Sequence, residues 1–157
     1  MENNIRKILI IRLSAIGDTI HTLPLAYSLR QSFPDTVIDW VVEDKAAGFI
    51  VNNPLLNRVY VIDKKNKLKS YFEIIKKIRK EHYDIVIDVQ QLLKSAVIMG
   101  FSNAKRKITQ DGGREFSFIF SNEIIKTGRK LFDINYHVVK RNLDIAKYLG
   151  CKDCGIK

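Results

Sequence analysis

Asp18 is the residue of this chain whose setting best suits chemistry. It closes Ser14-Ala15-Ile16-Gly17-Asp18, a small and mostly polar turn that follows the apolar run Ile8 to Ile11. A carboxylate at such a turn can act as a general base and remove a proton from an incoming hydroxyl. It can also cap the following helix, because Asp is a favoured N-cap residue. The bare residues favour the cap, and His21 beside it reads more readily as structural than as an assistant. A second set of candidates is basic. Arg58, Lys94, Arg114 and Arg141 each fall near the start or end of an expected element. Cations at such edges can hold phosphate or carboxylate groups, or can simply be surface charge. Lys94 is the best placed, because it follows the expected fourth strand and Gln90-Gln91, on the same rim of the sheet as Asp18.

Other chemistries lack their residues. The turn after the first strand has one glycine, where a dinucleotide fingerprint needs G-x-G-x-x-G, and no phosphate-loop motif occurs. No His, Cys and carboxylate cluster has metal-ligand spacing, so no metal is expected. Cys151 and Cys154 form a lone C-x-x-C that trails the last helix, and they read as reduced, incidental thiols.

The elements that must position these residues alternate between strand and helix. Ile8 to Ile11 is nearly unbroken in its apolar character, as in a strand buried on both faces. Further strands are expected at Val37–Val42, Val59–Ile62, Tyr83–Val89 and Lys107–Thr109. Helices are expected from about Thr22 to Ser32, Lys45 to Val51, Tyr71 to Glu81, Leu92 to Phe101 and His137 to Leu149. Pro24 requires the first of these to begin near Thr22, with the proline in its first turn, or to be distorted there. Either way Asp18 and His21 lie at or before its start. Leu25, Leu29 and Phe33 supply its core stripe. Phe72, Ile75 and Ile78 should do the same for the helix over 71–81, and Val138, Leu143, Ala146 and Leu149 for the last helix. Phe116 to Phe120 is an aromatic run with no evident element. The alternation predicts an α/β fold, a Rossmann-like, doubly wound parallel sheet. Ligands of such sheets bind past the carboxyl ends of the strands, where Asp18 and Lys94 fall.

The 157 residues suffice for one domain with a real core, and no run of 18 or more apolar residues occurs that could span a membrane. The first residues lack the shape of a signal peptide, so a cytoplasmic protein is expected. The net charge of +10 is uneven: residues 1–63 balance at −1 and residues 64–157 at +11. Such asymmetry suits an anionic partner, whether nucleic acid, anionic lipid or a phosphorylated substrate, although most of the lysines read as a solvated surface. No recognition helix or interleaved aromatic-basic platform is evident, so nucleic acid is not expected.

The stretch RLSAIGDTIHTLPLAYSLRQSFPDTVIDWVVED resembles the opening of the lipopolysaccharide heptosyltransferases of glycosyltransferase family nine. The resemblance continues through NPLLNRVYVID, YDIVIDVQQLLKSAVI and YHVVKRNLDIAKYLG, and so covers most of the chain. It implies the N-terminal half of a two-domain GT-B enzyme that transfers heptose, with inversion, from ADP-heptose to the Kdo-lipid A inner core. It implies that Asp18, the aspartate of the S-x-x-G-D loop formed with Ser14 and Gly17, is the catalytic base. By the same resemblance Lys94 helps hold the acceptor, and Ser14, Gly17 and His21, around the Asp18 loop, contribute to substrate binding. Arg58, Arg114, His137 and Arg141 match basic positions, the last three facing a phosphorylated acceptor. Gln91 stands where the family usually has Gly. No cofactor or metal is implied. Residues 1–150 correspond to the acceptor-side domain and residues 151–157 to the start of an interdomain connection, with the C-terminal donor domain beyond them. The expected partners are the lipopolysaccharide acceptor, the cytoplasmic face of the inner membrane, and a second chain bearing the donor domain. The alternative is a non-catalytic Rossmann-like module that binds an anionic glycolipid or a partner chain.

Overall fold

The structure is a computed structural model and describes residues 4–126 and 138–152. Six strands form one sheet: β1 Lys7–Ile11, β2 Val37–Glu43, β3 Arg58–Ile62, β4 Ile85–Asp88, β5 Arg106–Gln110 and β6 Glu123–Ile125. The order is β3-β2-β1-β4-β5-β6, and every pairing is parallel. The order reverses between β1 and β4. In open parallel sheets that reversal opens a crevice at the carboxyl rim.

The apolar strand runs are buried on both faces, as expected. Ile8, Ile10, Ile38, Trp40, Ile85 and Ile87 pack against one helical layer, α2 Leu23–Ser32 with α6 Val138–Tyr148 and the short α3 Asp44–Ala47. Leu9, Ile11, Val41 and Val86 face the other layer, α4 Lys67–Glu81 and α5 Leu93–Phe101. Each fully buried Ile, Leu or Val contributes about 1.5–3 kcal/mol. A register slip of one residue would swap every strand side chain between the two layers, so the register is firmly set.

Pro24 falls in the first turn of α2, where a proline costs little. A separate five-residue helix, α1 Ile16–Ile20, precedes it, so Asp18 lies inside a helix rather than in a bare turn. The third helix is shorter than expected, Asp44–Ala47. On α4 the buried stripe is Ile74, Ile75 and Ile78, while Phe72 is exposed. The helix starts at Lys67 and turns Tyr71 and Ile74 inward, which leaves Phe72 at the edge of the stripe. On α6, Val138 is likewise exposed; Val139, Leu143, Ile145 and Ala146 are buried. Gly150, at φ +82°, ends it in the left-handed conformation that glycine adopts freely. Strand β6 has no counterpart in the sequence reading, because its three residues are too short to show a period. The Phe116–Phe120 run holds a 3-10 turn, Ser117–Phe120. His137 and Cys154 lie outside the described residues.

Candidate functional site

The carboxyl rim at the crevice between β1 and β4 gathers the polar groups. Arg12 leaves the end of β1 and is mostly buried. Its Nη1 donates to the Val89 carbonyl at 2.6 Å, joining the two strands that flank the crevice. Its Nη2 forms an ion pair with Asp18 Oδ2 at 2.9 Å. Burial pulls the Arg12 guanidinium below its ordinary pKa, opposed chiefly by the charge of Asp18. Arg12 Nε is buried without a hydrogen-bond partner among the described residues. Asp18 itself is 45% exposed, and its Oδ1 has no partner among the described residues.

The cap expected of Asp18 is not what the fold uses it for. The N-cap of α1 is Ala15, with no side-chain cap, and Asp18 sits in the first turn. Its carboxylate is held by a cation from β1 and turned toward the crevice mouth instead. Around it, Gln90 Oε1 accepts from the Leu13 and Ser14 N–H groups at 3.0 and 3.1 Å, pinning the S-x-x-G-D turn to the end of β4. Thr19 and Thr22 return their hydroxyls to the Ala15 and Asp18 carbonyls at 2.8 Å each. The space around Gly17 is open, with nothing near enough to obstruct an added Cβ. His21 is the C-cap of α1. Its carbonyl accepts from Asn142 Nδ2 of α6 at 3.2 Å, which ties the turn to the last helix.

Lys94, in the first turn of α5, forms a 2.6 Å ion pair with Glu43 at the end of β2. The pair crosses the mouth of the crevice and is about one third exposed on the lysine side. Beneath it, Asp88 at the end of β4 is buried completely. Burial pushes its carboxyl up to about 6, against the bonds it accepts from the Gln91 and Gln90 N–H groups and the Ser95 hydroxyl. Gln91 stands at φ +58°, a left-handed position that costs a side-chain-bearing residue. Its Nε2 donates to the Gln110 carbonyl at 2.6 Å, and its carbonyl accepts from the Arg114 N–H at 3.2 Å. The side chain thereby docks the Asp111–Arg114 loop, and the new bonds offset the backbone cost. Arg141 Nη2 donates to the Asp111 carbonyl in the same loop.

Ser14, Gly17, Asp18, His21, Lys94, Arg114 and Arg141 therefore all fall at or near one rim. Arg58 does not. It begins β3, at the opposite end of the sheet, where its Nη1 pairs with Glu81 at 2.9 Å. The sequence reading passed over Arg12, Glu43, Asp88, Gln90 and Asn142. Arg12 alone carried a signal: a cation placed directly after four consecutive buried residues needs a partner. Among the described residues no group of three or more His, Cys, Asp or Glu side chains could hold a metal ion.

Residues 71–154 match the family described as Glycosyltransferase family 9 (heptosyltransferase). Lipopolysaccharide heptosyltransferase 1 of Campylobacter coli is 30% identical over 96% of this chain and 45% of its own length. The structure of the E. coli heptosyltransferase WaaC with ADP-2-deoxy-2-fluoro heptose superposes with a TM-score of 0.80 and 25% identity, over 96% of this chain and 50% of that one. A family 9 glycosyl transferase from Veillonella parvula shares the fold at a TM-score of 0.82 and 22% identity, over 99% of this chain and 44% of that one. The chain thus spans about half the length of the relatives it matches.

Proposed function

We propose, from the premise that this chain belongs to glycosyltransferase family 9, that it is the acceptor-side half of an inverting heptosyltransferase of lipopolysaccharide core synthesis. The observation that carries the reading is the pairing of a half-exposed Asp18 with a buried arginine at the sheet's switch point. Arg12 fixes one carboxylate oxygen and leaves the other available to a hydroxyl in the crevice. In the proposed reaction the acceptor hydroxyl gives its proton to Asp18. Its oxygen attacks the anomeric carbon of ADP-heptose from the face opposite ADP. The new glycosidic bond forms as the bond to the diphosphate oxygen breaks, and ADP leaves with the electron pair. Charge develops on that diphosphate, so cationic or helix N-terminal groups must face it. In this reading they come from the donor-side domain that accounts for the rest of the relatives' length.

The acceptor would be the Kdo-lipid A core, whose acidic groups suit the rim cations. Lys94 is the proposed acceptor contact, and an acidic sugar would compete with Glu43 for it. Arg114, His137 and Arg141 would extend the basic surface toward the acceptor's phosphates. Residues 1–150 form the acceptor-side domain in this proposal, and residues 151–157 begin the interdomain connection. No metal or cofactor takes part. The enzyme would work at the cytoplasmic face of the inner membrane, with the donor domain supplied by the remainder of the polypeptide or by a second chain. The test is transfer of heptose from ADP-heptose to Kdo-lipid A. The purified 157-residue chain is assayed alone and mixed with a separately produced donor domain. Activity in the mixture with little or none in the chain alone is the expected result. No activity in a mixture that forms a stable complex would favour the non-catalytic binding module.

A further inference from the structure

The connection between β5 and β6 is built against the usual rule for surface turns. Of the five residues Phe116 to Phe120, only Ser117 is buried. Phe116, Phe118, Ile119 and Phe120 are 70%, 47%, 58% and 41% exposed. Single exposed apolar residues are ordinary, whereas a contiguous group marks a surface made to meet something. The group is held firmly in place. Phe120 lies over Gly100 of α5 so closely that a Cβ at Gly100 would come within 2.8 Å of its ring. Phe116 and Phe118 meet edge to face with centroids 6.3 Å apart. Glu115 Oε2 accepts from the Leu93 N–H at the start of α5, at 3.0 Å. Leu93 and Phe101, at the two ends of the helix beneath, are themselves about half exposed.

The charges bordering this apolar flank are mostly positive. Lys105, Arg114 and Lys126 are exposed, and none has a carboxylate partner among the described residues. Of the nearby acids, Glu123 is paired with Arg106 at 2.8 Å, while the exposed Glu115 gives one oxygen to the backbone of α5 and keeps its charge, so the border carries three uncommitted cations against one carboxylate. Aromatic side chains bordered by uncommitted cations fit the interface of an anionic bilayer, where rings enter the headgroup region and cations meet lipid phosphates. The flank also lies to the side of the carboxyl rim rather than across its mouth, since α5 begins at Leu93, with Lys94 at the rim, and runs away from it. A donor domain closing over the crevice would leave it uncovered.

We propose that the flank of α5 and the Phe116–Phe120 turn docks the protein on an anionic lipid surface, with Phe118 and Ile119 entering the headgroup layer. Its purpose rests on the lipid-linked acceptor proposed above. Seated this way, the rim with Asp18 and Lys94 stands beside the bilayer, where the head of a lipid-anchored sugar would reach it. No helix among the described residues is long and apolar enough to cross a membrane, so attachment is expected to be interfacial.

The test is co-sedimentation of the full chain with phosphatidylcholine vesicles that contain or lack phosphatidylglycerol, all free of any sugar acceptor. Failure of the catalytic reading therefore does not alter the result. The wild-type chain should bind the anionic vesicles and not the neutral ones. The double variant Phe118→Ser with Ile119→Ser should bind about tenfold or more weakly. Tyr27→Ser, which removes a comparably exposed ring from α2 on the other helical layer, should bind as the wild type does. Fluorescence of Trp40, the single tryptophan and fully buried, reports whether each variant has kept its fold. Wild-type-like binding by the folded double variant overturns the proposal, as does a wild-type chain that ignores anionic vesicles. In the second case, light scattering that shows a dimer dissolved by the double variant would assign the flank to a second copy of the chain.

Discussion

The two ends of the sheet carry the same kinds of side chain and use them differently. At the amino-terminal end Glu81 accepts from both Lys7 and Arg58, at 2.9 Å each. These bonds hold its carboxyl below the usual carboxylate range, Lys7 contributing most. Beside it, Tyr83 donates to Asp39 at 2.6 Å and lies 3.2 Å from the Tyr60 hydroxyl, which also accepts from Arg58. Burial raises the Asp39 carboxyl, and the Tyr83 bond opposes the rise. Lys7, Arg58 and Glu81 join β1, β3 and α4 at the starts of the strands, and Asp39 Oδ1 is buried there with no partner among the described residues. At the carboxyl end the pairs flank the crevice. Asp18 gives one oxygen to Arg12 and leaves the other to the crevice, and Lys94 holds Glu43 in partial contact with water. An ion pair by itself therefore does not mark a site. What distinguishes the rim is that its pairs sit at the switch point, with Asp18 45% exposed beside the crevice.

That comparison can be sharpened by experiment. The largest effect on stability should come from Asp88, which underlies the rim. Its carboxyl, pushed up to about 6 by burial from an ordinary 3.8, binds its proton more tightly in the folded chain than in the unfolded one. Its contribution is thus fully present below about pH 4 and is lost as pH rises through about 6. The loss is on the order of 3 kcal/mol. Asp88→Asn keeps an acceptor for the Gln90 and Gln91 N–H groups, and its Nδ2 can donate to the Ser95 oxygen, whose own proton reaches the Leu92 carbonyl. Urea unfolding followed across that pH window should show the wild type losing stability relative to Asp88→Asn as pH rises. Parallel curves would mean that Asp88 is not held in a protonated state.

Next in size are two cations from the same basic set, Lys94 at the rim and Arg58 at the far end. In the assembled two-domain enzyme, Lys94→Ala should raise the acceptor KM by about 10- to 100-fold, the worth of one charge-assisted hydrogen bond. Arg58→Ala should leave it within about twofold, because Arg58 lies at the end of the sheet opposite the rim. Equal effects from the two would erase the distinction drawn between the ends of the sheet. Smallest should be the stability cost of Arg58→Met. Its side chain is 49% exposed, so the loss of its pair with Glu81 should cost less than about 1 kcal/mol in chemical denaturation. A loss of several kcal/mol would show that the amino-terminal cluster is a structural keystone rather than a screened surface pair.

Much of the fold was legible because its strands are buried on both faces and so write themselves as apolar runs. The helices α2 and α5 and the position of Pro24 followed from periodicity and from the proline's missing N–H. What escaped was set by contacts distant in sequence. Asp18 looked like a helix cap because Asp commonly is one. Only the Arg12 side chain, placed by the end of β1, shows that the carboxylate is used otherwise. Arg58 was grouped with the candidate cations because it adjoins a strand, and a strand's edge alone does not say whether a residue reaches the rim. Gln91 resembles a mere departure from glycine. Its side-chain bond to the Gln110 carbonyl, which helps it keep a left-handed backbone, appears only once β4 and β5 are side by side. Phe72 and Val138 were misassigned for a simpler reason: each lies at the end of its stripe, where the boundary of the buried face falls between neighbours.

The most direct test of the account is the turnover of Asp18→Asn in the assembled enzyme, with ADP-heptose as donor and acceptor at saturation. The substitution keeps the size of the side chain and an oxygen for Arg12 while removing the base. The account predicts a fall in kcat of about 100- to 10,000-fold with unchanged folding and complex formation. A variant that turns over within about twofold of the wild type would contradict it and leave Asp18 as a structural partner of Arg12.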